Sequence, residues 1–496
     1  MSARPWLPLL LILARAFSSQ GGELSSRPPK ALALVDQARA LPPEFRADTL
    51  LRLANSSLIS DKSWKQELIE EAYWSGSHAF LPYLQHANGR SDWVTANAVK
   101  ANGLEVLTLQ TKAVQEMLPL NPGKALRLFE EMQPVTLPKL NCSIASTPDV
   151  TTYYQTGVLL FEGAFTAKQR TNGDDFALIR QLINSAEAPA QVPPALEMVF
   201  AVKLALDQRR SLLSELAARL QEISRSDREY GAAETELVSA VASAPLGQAE
   251  AAVLLPALSS YIVRHVSARR CADNMPRAGG MANSAEEFNS LVAKLDPTES
   301  SYKHISAEEA KPTEDNATHE ENLIGQSPNS QAVTEALRWL DHDESAPGSQ
   351  VVHWTLKQRS SEVWLEHYDD AARLIHDLKE TDEKSPEGFF CMKADALNRL
   401  AVFPPPGPIR DKAMEEYRDF LETFYPSIQN PNLWFTMFRH MLYTARFSDD
   451  AKDKAWILSE LARSSNPIIA FYATLESRIG PPEASYPDSH VKAAHS

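Results

Sequence analysis

One nine-residue segment occurs twice in this chain, and its recurrence limits the folds that the sequence can adopt. Arg46–Ala54 reads RADTLLRLA and Lys393–Ala401 reads KADALNRLA, so six positions are identical and one exchanges Arg for Lys. The Leu and Ala residues lie on one side of a helix, and a neighbouring helix is needed to bury such a stripe. A helix that recurs is typical of a fold built from repeated helix pairs. We therefore expect related helix pairs in both halves, with the Asp and Arg of the segment facing solvent or fixing the neighbouring turn.

An Asp-Lys pair follows each copy and is predicted to begin the second helix of the unit. The pairs are Asp61-Lys62, Asp411-Lys412 and a third, Asp453-Lys454. The third follows the second by about 42 residues, a length within the range of HEAT and armadillo units and longer than the ~34 residues of a tetratricopeptide unit. Trp64 of the first copy and Met414 of the second stand at the same position of the unit, on the apolar side.

Helical periodicity extends along most of the chain, and strand signals are weak in comparison. The predicted helices span residues 30–40, 43–55, 62–75, 91–119 (broken at Gly103), 122–132, 149–168, 174–186, 194–206, 208–225, 228–243, 246–268, 284–295, 331–341, 359–379, 386–401, 408–425, 431–446, 450–463 and 467–478. The side chains of residues 350–356 alternate in polarity. This pattern predicts a short strand, an extended segment or a helical turn, and the sequence leaves the three open. The predicted fold is all-α, with stacked antiparallel helix pairs in an α-solenoid-like arrangement and a disordered acidic linker or insertion.

Several helix starts carry a recognisable capping pattern. Asn121-Pro122 and Asn466-Pro467 each place a polar cap before a Pro at the first helical position, where Pro removes a donor that would otherwise be unpaired. Ser284–Glu287 has the pattern of a capping box. The chain contains 33 Pro and only 18 Gly, a balance that suits many short helices and disfavours tight hairpins.

The chain divides into five predicted segments. They are a signal peptide at 1–18, an N-terminal helical region at 19–296, a disordered acidic linker at 297–330, a C-terminal helical region at 331–480 and a disordered tail at 481–496. The linker and the tail lack apolar periodicity, so they cannot bury enough apolar surface to offset the entropy of ordering. The sequence leaves open whether the linker separates two domains or interrupts one superhelix.

The first residues have the pattern of an export signal. Arg4 supplies the positive charge, Leu7–Leu13 form a short apolar core, and Ala14–Ala16 fits a cleavage site, with Ala16–Ser18 as the alternative. No other stretch approaches the ~20 apolar residues of a membrane span. The sequence therefore predicts an exported protein, periplasmic or extracellular, without a membrane span in the mature chain.

The charge balance and the cysteine count bound the class of protein. A net charge of −15 opposes nucleic acid as the main partner, because binding phosphates needs clustered Lys and Arg. Three cysteines are too few for a disulfide framework, although one bridge stays open. Cys391 lies in an apolar run and is predicted to be buried. Cys142 and Cys271 receive no role.

No catalytic, cofactor-binding or metal-binding residue is predicted. The sequence has no phosphate-binding glycine motif, no nucleophile elbow, no HExxH motif and no Cys-x-x-Cys pair. Three acidic clusters contain histidine, at His319–Glu321, Asp341–Glu344 and Glu366–Asp370. We interpret each as a solvated polar run, in preference to a cation site or a general acid–base pair. The tryptophans predicted to pack between helices, in preference to lining a sugar groove, are Trp64, Trp74, Trp364, Trp434 and Trp456.

One segment resembles a known repeat family. Asn121–Glu131 reads NPGKALRLFEE and resembles the opening of a tetratricopeptide-type helix, with Ala125 and Phe129 on one face. The chain as a whole resembles exported bacterial helical proteins of the tetratricopeptide-like or HEAT-like kind. The strict tetratricopeptide spacing of Trp, Leu-Gly, Tyr, Ala, Phe and Pro is not met in any window. The resemblance implies a surface that binds or organises proteins, and not catalysis.

None of these patterns identifies a chemical reaction, so the function is inferred from the predicted fold. The leading interpretation is an exported helical-repeat protein that binds or scaffolds macromolecules, with a protein or peptide as its partner, because stacked helix pairs form an extended concave surface. One alternative is a toroid of paired helices that hydrolyses polysaccharide, which requires two carboxylates at a defined separation. Another is a structural protein of the cell envelope. No cofactor is expected, and the oligomeric state stays open.

Overall fold

The computed structural model describes residues 27–79, 102–132, 135, 137, 148–224, 230–266, 280–295, 304–306, 327–343, 352–355, 358–383, 386–405, 407–424 and 451–480. These residues form an all-α fold. The helices are α1 (Pro29–Arg39), α2 (Pro43–Asn55), α3 (Lys62–Ser77), α4 (Val106–Met117), α5 (Pro122–Glu131), α6 (Val150–Gly163), α7 (Ala167–Asn172), α8 (Asp174–Asn184), α9 (Val192–Ala201), α10 (Leu206–Glu222), α11 (Tyr230–Ser243), α12 (Gln248–Val266), α13 (Gly280–Leu295), α14 (Pro328–Asp341), α15 (Glu362–Asp377), α16 (Pro386–Val402), α17 (Pro408–Phe424), α18 (Ala451–Leu461) and α19 (Pro467–Ile479).

A small antiparallel pairing follows α14. Strand β1 (His342–Asp343) pairs with β2 (Val352–His353), and His342 lies opposite His353. The alternating segment at residues 350–356 therefore contains a strand of two residues. A 3-10 turn at Gln358–Ser360 then leads into α15.

The helices stack in the solenoid-like manner that the sequence predicts. Successive helices pack together, as in α2 with α3, α3 with α4 and α16 with α17. Contacts also skip one helix, as in α4 with α6, α6 with α8, α8 with α10 and α10 with α12, and likewise in α9 with α11 and α11 with α13. Such alternation produces two layers in which each helix pair touches its neighbours. One hydrophobic core runs through the stack from Ala31 to Leu475.

The repeated segment forms α2 and α16, and its apolar positions behave alike in both copies. The matching buried residues are Leu50, Leu53 and Ala54 in α2, and Leu397, Leu400 and Ala401 in α16. Trp64 in α3 and Met414 in α17, which share a position in the unit, are only 1% and 2% exposed. The predicted relation between the two helix pairs is confirmed at the level of core packing.

Local capping explains where several helices begin. The side chain of Asn121 accepts a hydrogen bond from the N–H of Lys124 at the start of α5, and Asn466 accepts from the N–H groups of Ile468 and Ile469 in α19. Each bond satisfies a donor that has no partner within the helix. Asp61 does the same for α3, accepting from Trp64 N–H at 2.6 Å. The two Asn-Pro starts and the Asp61 start are confirmed.

The prediction that a polar residue begins the helix is wrong at three other positions, although the predicted spans 408–425 and 450–463 agree with α17 and α18 to within two residues. Asp411 lies inside α17, which begins at Pro408, and Asp453 lies inside α18. Ser284 lies inside α13, which begins at Gly280, so it is no helix cap. Each of these polar residues lies within the first two turns of its helix, an error of the size usual for helix boundaries predicted from sequence.

The segment predicted to form one long helix is divided into two helices. The predicted helix 149–168 ends at Gly163, and α7 follows from Ala167. Thr166 and Gln169 form a reciprocal capping box at the start of α7. Gly173, at φ 80°, occupies the left-handed region between α7 and α8, where a side chain would be strained.

Part of the predicted linker is docked on the fold. Ile305 is 3% exposed, and its N–H and C=O bond the side-chain oxygen and nitrogen of Asn289 on α13, each at 2.9 Å. At this residue the apolar side chain is buried and both backbone groups are hydrogen-bonded. Helix α14 begins at Pro328, inside the predicted linker boundary.

Trp74 and Trp456 do not pack as predicted. They are 45% and 40% exposed, whereas Trp64 and Trp364 are buried. On α3 the inward position belongs to Tyr73, which is 1% exposed and turns the adjacent Trp74 outward. Some further predictions lie outside the described residues: the signal peptide at 1–18, most of the linker, the tail at 481–496, the helix at 431–446, Cys142, Cys271, Trp434 and His319–Glu321.

Candidate functional site

Helices from the two ends of the described chain meet through polar side chains. Helix α19 packs against α1 and α2, and α4 packs against another side of α2. We call the polar residues at this junction the terminal seam. They are Asp48, Arg52 and Asn55 of α2, Lys112 and Glu116 of α4, and Tyr472 and Glu476 of α19. On each helix they are spaced three or four residues apart, so they share one face.

The contact between α2 and α19 includes several charge-assisted interactions. The Tyr472 hydroxyl donates to Oδ2 of Asp48 at 2.8 Å. Nη2 of Arg52 lies 3.7 Å from Oε1 of Glu476 and donates to the carbonyl of Gly480 at 3.3 Å. The guanidinium carbon also lies 5.6 Å from the centre of the Tyr472 ring. Because the side chains of Arg52 and Glu476 are only 10% and 2% exposed, each charge depends on the other for compensation.

Glu116 is the unusual titratable group of the terminal seam. Burial raises the pKa of its carboxyl to about 8, and the negative charge of Asp48 adds to the rise. The charge of Lys112 and a hydrogen bond from Asn55 oppose it. Among the described residues, Oε2 of Glu116 is buried without a hydrogen-bond partner. Burial and the neighbouring Asp48 therefore favour the protonated form of the Glu116 carboxyl.

The same sequence motif has different surroundings in its two copies. In α16, Asp395 and Arg399 pair with each other at 3.0 Å and their side chains are 49% and 46% exposed. The prediction that the Asp and Arg of the motif face solvent is confirmed there. It is wrong in α2, where Asp48 and Arg52 bind α19. The difference arises because a distant helix covers α2 on its polar side.

Sequence reasoning missed the terminal seam, although one signal for it exists. Glu476 lies on a mainly apolar helix, one turn after Tyr472, and is only 4% exposed. A carboxylate inside an apolar stripe needs a buried partner, so this pattern predicts a buried ion pair. It does not identify Arg52, because nothing local connects residues so far apart in the chain.

A second candidate site is a polar groove where α6, α8 and α10 approach one another. Its volume is about 600 Å³. The residues that line this polar groove are Phe161, Glu162, Arg170, Gly173, Asp175, Phe176, Lys203, Leu204 and Gln208. Nη2 of Arg170 donates to the carbonyls of Phe161 and Glu162, each at 2.7 Å, and its Nη1 pairs with Asp175 at 3.3 Å. Arg170 thus closes the end of α6, while the exposed Lys203 supplies a cation at the rim.

The described residues of the predicted acidic clusters, Asp341 and Glu366–Asp370, make ordinary ion-pair and ring contacts. Asp370 pairs with Arg373 at 2.8 Å, while the His367 ring lies 3.6 Å from the Trp339 ring, between centres. Asp341 lies 4.0 Å from the guanidinium of Arg359. Across the described ranges, no group of three or more His, Cys, Asp or Glu side chains is placed to hold a metal ion.

Comparison with known proteins returns no relative. No protein-family model, curated protein or solved structure matches the chain. None of the helices in the described part of the chain is long and apolar enough to cross a membrane. The class of the protein therefore rests on its fold, an all-α stack of solenoid-like helix pairs with helices from its two ends in contact.

Proposed function

We propose that this chain is an exported helical-repeat protein that binds or scaffolds macromolecules, in the periplasm or outside the cell, with a protein or peptide as its partner. The observation that carries the proposal is the stacking of the helices in two layers, where contacts skip from α4 to α6, α8, α10 and α12. Stacks of this kind present a long surface made of many helix faces, which suits an extended macromolecular ligand.

The polar groove adds a specific place for such a ligand. It combines aromatic side chains, Phe161 and Phe176, with the exposed cation of Lys203. A peptide has both apolar side chains and carboxylates, and such a groove can accept both. Phe161 is 6% exposed, so the aromatic contribution comes chiefly from its rim and from Phe176.

The test is capture of a partner from a periplasmic extract by the full chain, with two variants in parallel. Lys203→Glu reverses the cation of the polar groove, whereas Lys412→Glu reverses a lysine whose side chain is 78% exposed on α17. We expect a partner that Lys203→Glu releases and Lys412→Glu retains. Recovery of no partner at any ionic strength between ~0.05 and ~0.2 M would contradict the proposal, because electrostatic contacts are strongest at low salt.

One structural observation favours the enzymatic alternative as a second candidate. The contact of α19 with α2 brings the ends of the described chain together, as a ring of helices requires, and beside it lies Glu116, a buried acid with a raised pKa. A polysaccharide hydrolysis screen on the full chain and on Glu116→Gln tests it. Hydrolysis that Glu116→Gln abolishes would favour the enzyme, and a screen without hydrolysis would leave the binding module.

A further inference from the structure

The two copies of the repeated helix are covered to different degrees. In α2, Asp48 accepts from the Tyr472 hydroxyl and Arg52 lies against Glu476, so α19 covers the polar side of the helix. In α16 the corresponding residues are Asp395 and Arg399, and both are about half exposed, at 49% and 46%. Among the described residues, the same sequence therefore presents one occupied face and one open face.

The open face of α16 keeps the geometry of the occupied one. Asp395 and Arg399 are one helical turn apart, as are Asp48 and Arg52, so each pair presents an acceptor and a cation in the same order along the helix. Met392, partly buried, stands where α2 has Phe45, whose ring packs edge-on against Tyr472. An apolar contact for an incoming aromatic ring is therefore available beside the charges.

The chemistry of an occupant follows from α19. Tyr472 and Glu476 are also one turn apart, and together they offer a hydroxyl donor and a carboxylate. Against Asp395 and Arg399 these groups would replace the internal Asp395–Arg399 pair with two interhelical contacts. An exposed pair of this kind contributes little to the stability of a fold, so little opposes its exchange.

We propose that the face of α16 formed by Met392, Asp395 and Arg399 binds an amphipathic partner helix that carries a tyrosine and, one turn later, a glutamate. The partner helix lies on α16 as α19 lies on α2. This inference rests on the proposed function as a binding module and names the kind of partner that it takes at one of its surfaces.

The test uses a fluorescent peptide of residues 466–480, the α19 segment itself, added to the full chain. Binding is followed by fluorescence anisotropy. We expect saturable binding that Arg399→Glu weakens at least tenfold, about 1.4 kcal/mol. A peptide with Glu476→Arg should bind the Arg399→Glu chain with affinity restored, because the reversed charges pair again. Arg373→Glu, at a side chain that is 68% exposed on α15, is the matched control and should leave binding unchanged.

Each other outcome overturns the inference. Binding that Arg399→Glu leaves unchanged would place the peptide elsewhere, for example at α2 after displacement of the chain's own α19. Loss of binding without rescue by the reversed peptide would contradict the pairing of the two charges, and a peptide that fails to bind would contradict the docking face. Capture of a partner from a periplasmic extract is independent of these results, so failure here leaves the proposed function standing unless that capture also fails.

Discussion

Tyr472 donates a 2.8 Å hydrogen bond to Asp48, although the two residues are 424 positions apart in the chain. Removing the hydroxyl in Tyr472→Phe should lower the free energy of unfolding by about 1.5–3 kcal/mol, because the acceptor is a carboxylate. Urea unfolding followed by circular dichroism measures the change. Tyr417→Phe is the control: among the described residues the Tyr417 hydroxyl is buried without a hydrogen-bond partner, so its removal should leave the stability equal or higher.

The ion pair between Arg52 and Glu476 should contribute more to the free energy of unfolding than the Asp395–Arg399 pair of α16. Arg52→Ala leaves the 2%-exposed Glu476 side chain without its cation and should cost about 3 kcal/mol. Arg399→Ala, in the half-exposed pair with Asp395, should cost less than about 1 kcal/mol. Double-mutant cycles on both pairs measure the coupling. Equal coupling energies in the two ion pairs would contradict the burial of the Arg52–Glu476 pair.

Glu116 should make the stability depend on pH in a defined direction. Its folded-state pKa of about 8 is above the value of about 4.3 in an unfolded chain, so the folded state binds the proton more tightly. The stabilisation that protonated Glu116 contributes is fully present below about pH 4. It declines as the pH rises and is lost above about pH 8.

Glu116→Gln, which mimics the protonated acid, should match the parent near pH 4–5 and exceed its stability by about 2 kcal/mol or more near pH 9. Thermal unfolding across this pH range gives the comparison. Glu415→Gln, at a side chain that is 64% exposed on α17, should keep the parent's pH profile. A parallel pH profile for Glu116→Gln and the parent would show that Glu116 is charged in the folded protein.

Trp64 and Trp74 lie on the same helix and should respond oppositely to truncation. Trp64→Ala creates a cavity under α3 and should cost about 3–5 kcal/mol, since the side chain is 1% exposed. Trp74→Ala removes a side chain that is 45% exposed and should change the stability by less than about 1 kcal/mol. Chemical denaturation of both variants decides between core packing and a surface position for each ring.

The Asp residues of the repeat unit should differ as caps. Asp61→Ala removes the acceptor for Trp64 N–H and should destabilise the protein by about 1 kcal/mol. Asp411→Ala changes a residue inside the first turn of α17 and should cost a few tenths of a kcal/mol through the helix dipole. A large cost at Asp411 and none at Asp61 would contradict the helix boundaries.

Features that depend on neighbouring residues could be predicted from the sequence. The caps at Asn121 and Asn466 follow from a polar side chain before Pro, and the burial of Leu50 and Leu400 follows from helical periodicity. The all-α, solenoid-like fold follows from the same local signals repeated along the chain. These signals work because helix formation and capping are decided within a few residues.

Features that depend on remote contacts could not be predicted. The segments around Asp48 and Asp395 are nearly identical, so nothing within them reveals that α19 covers one and leaves the other open. Trp74 shows the same limit at a smaller scale, because its outward direction depends on Tyr73 taking the inward place. The candidate site consists of such remote contacts, and this is why sequence reasoning found no site residue.

The contact between α2 and α19 also sets an order of events during synthesis. Asp48 leaves the ribosome 424 residues before Tyr472, so the helices of the N-terminal half can form while their charged stripe is still uncovered. The entropy of joining such distant segments grows only slowly with their separation, so the late closure is not prohibitive. A nascent chain therefore displays charges on α2 that α19 covers in the finished fold.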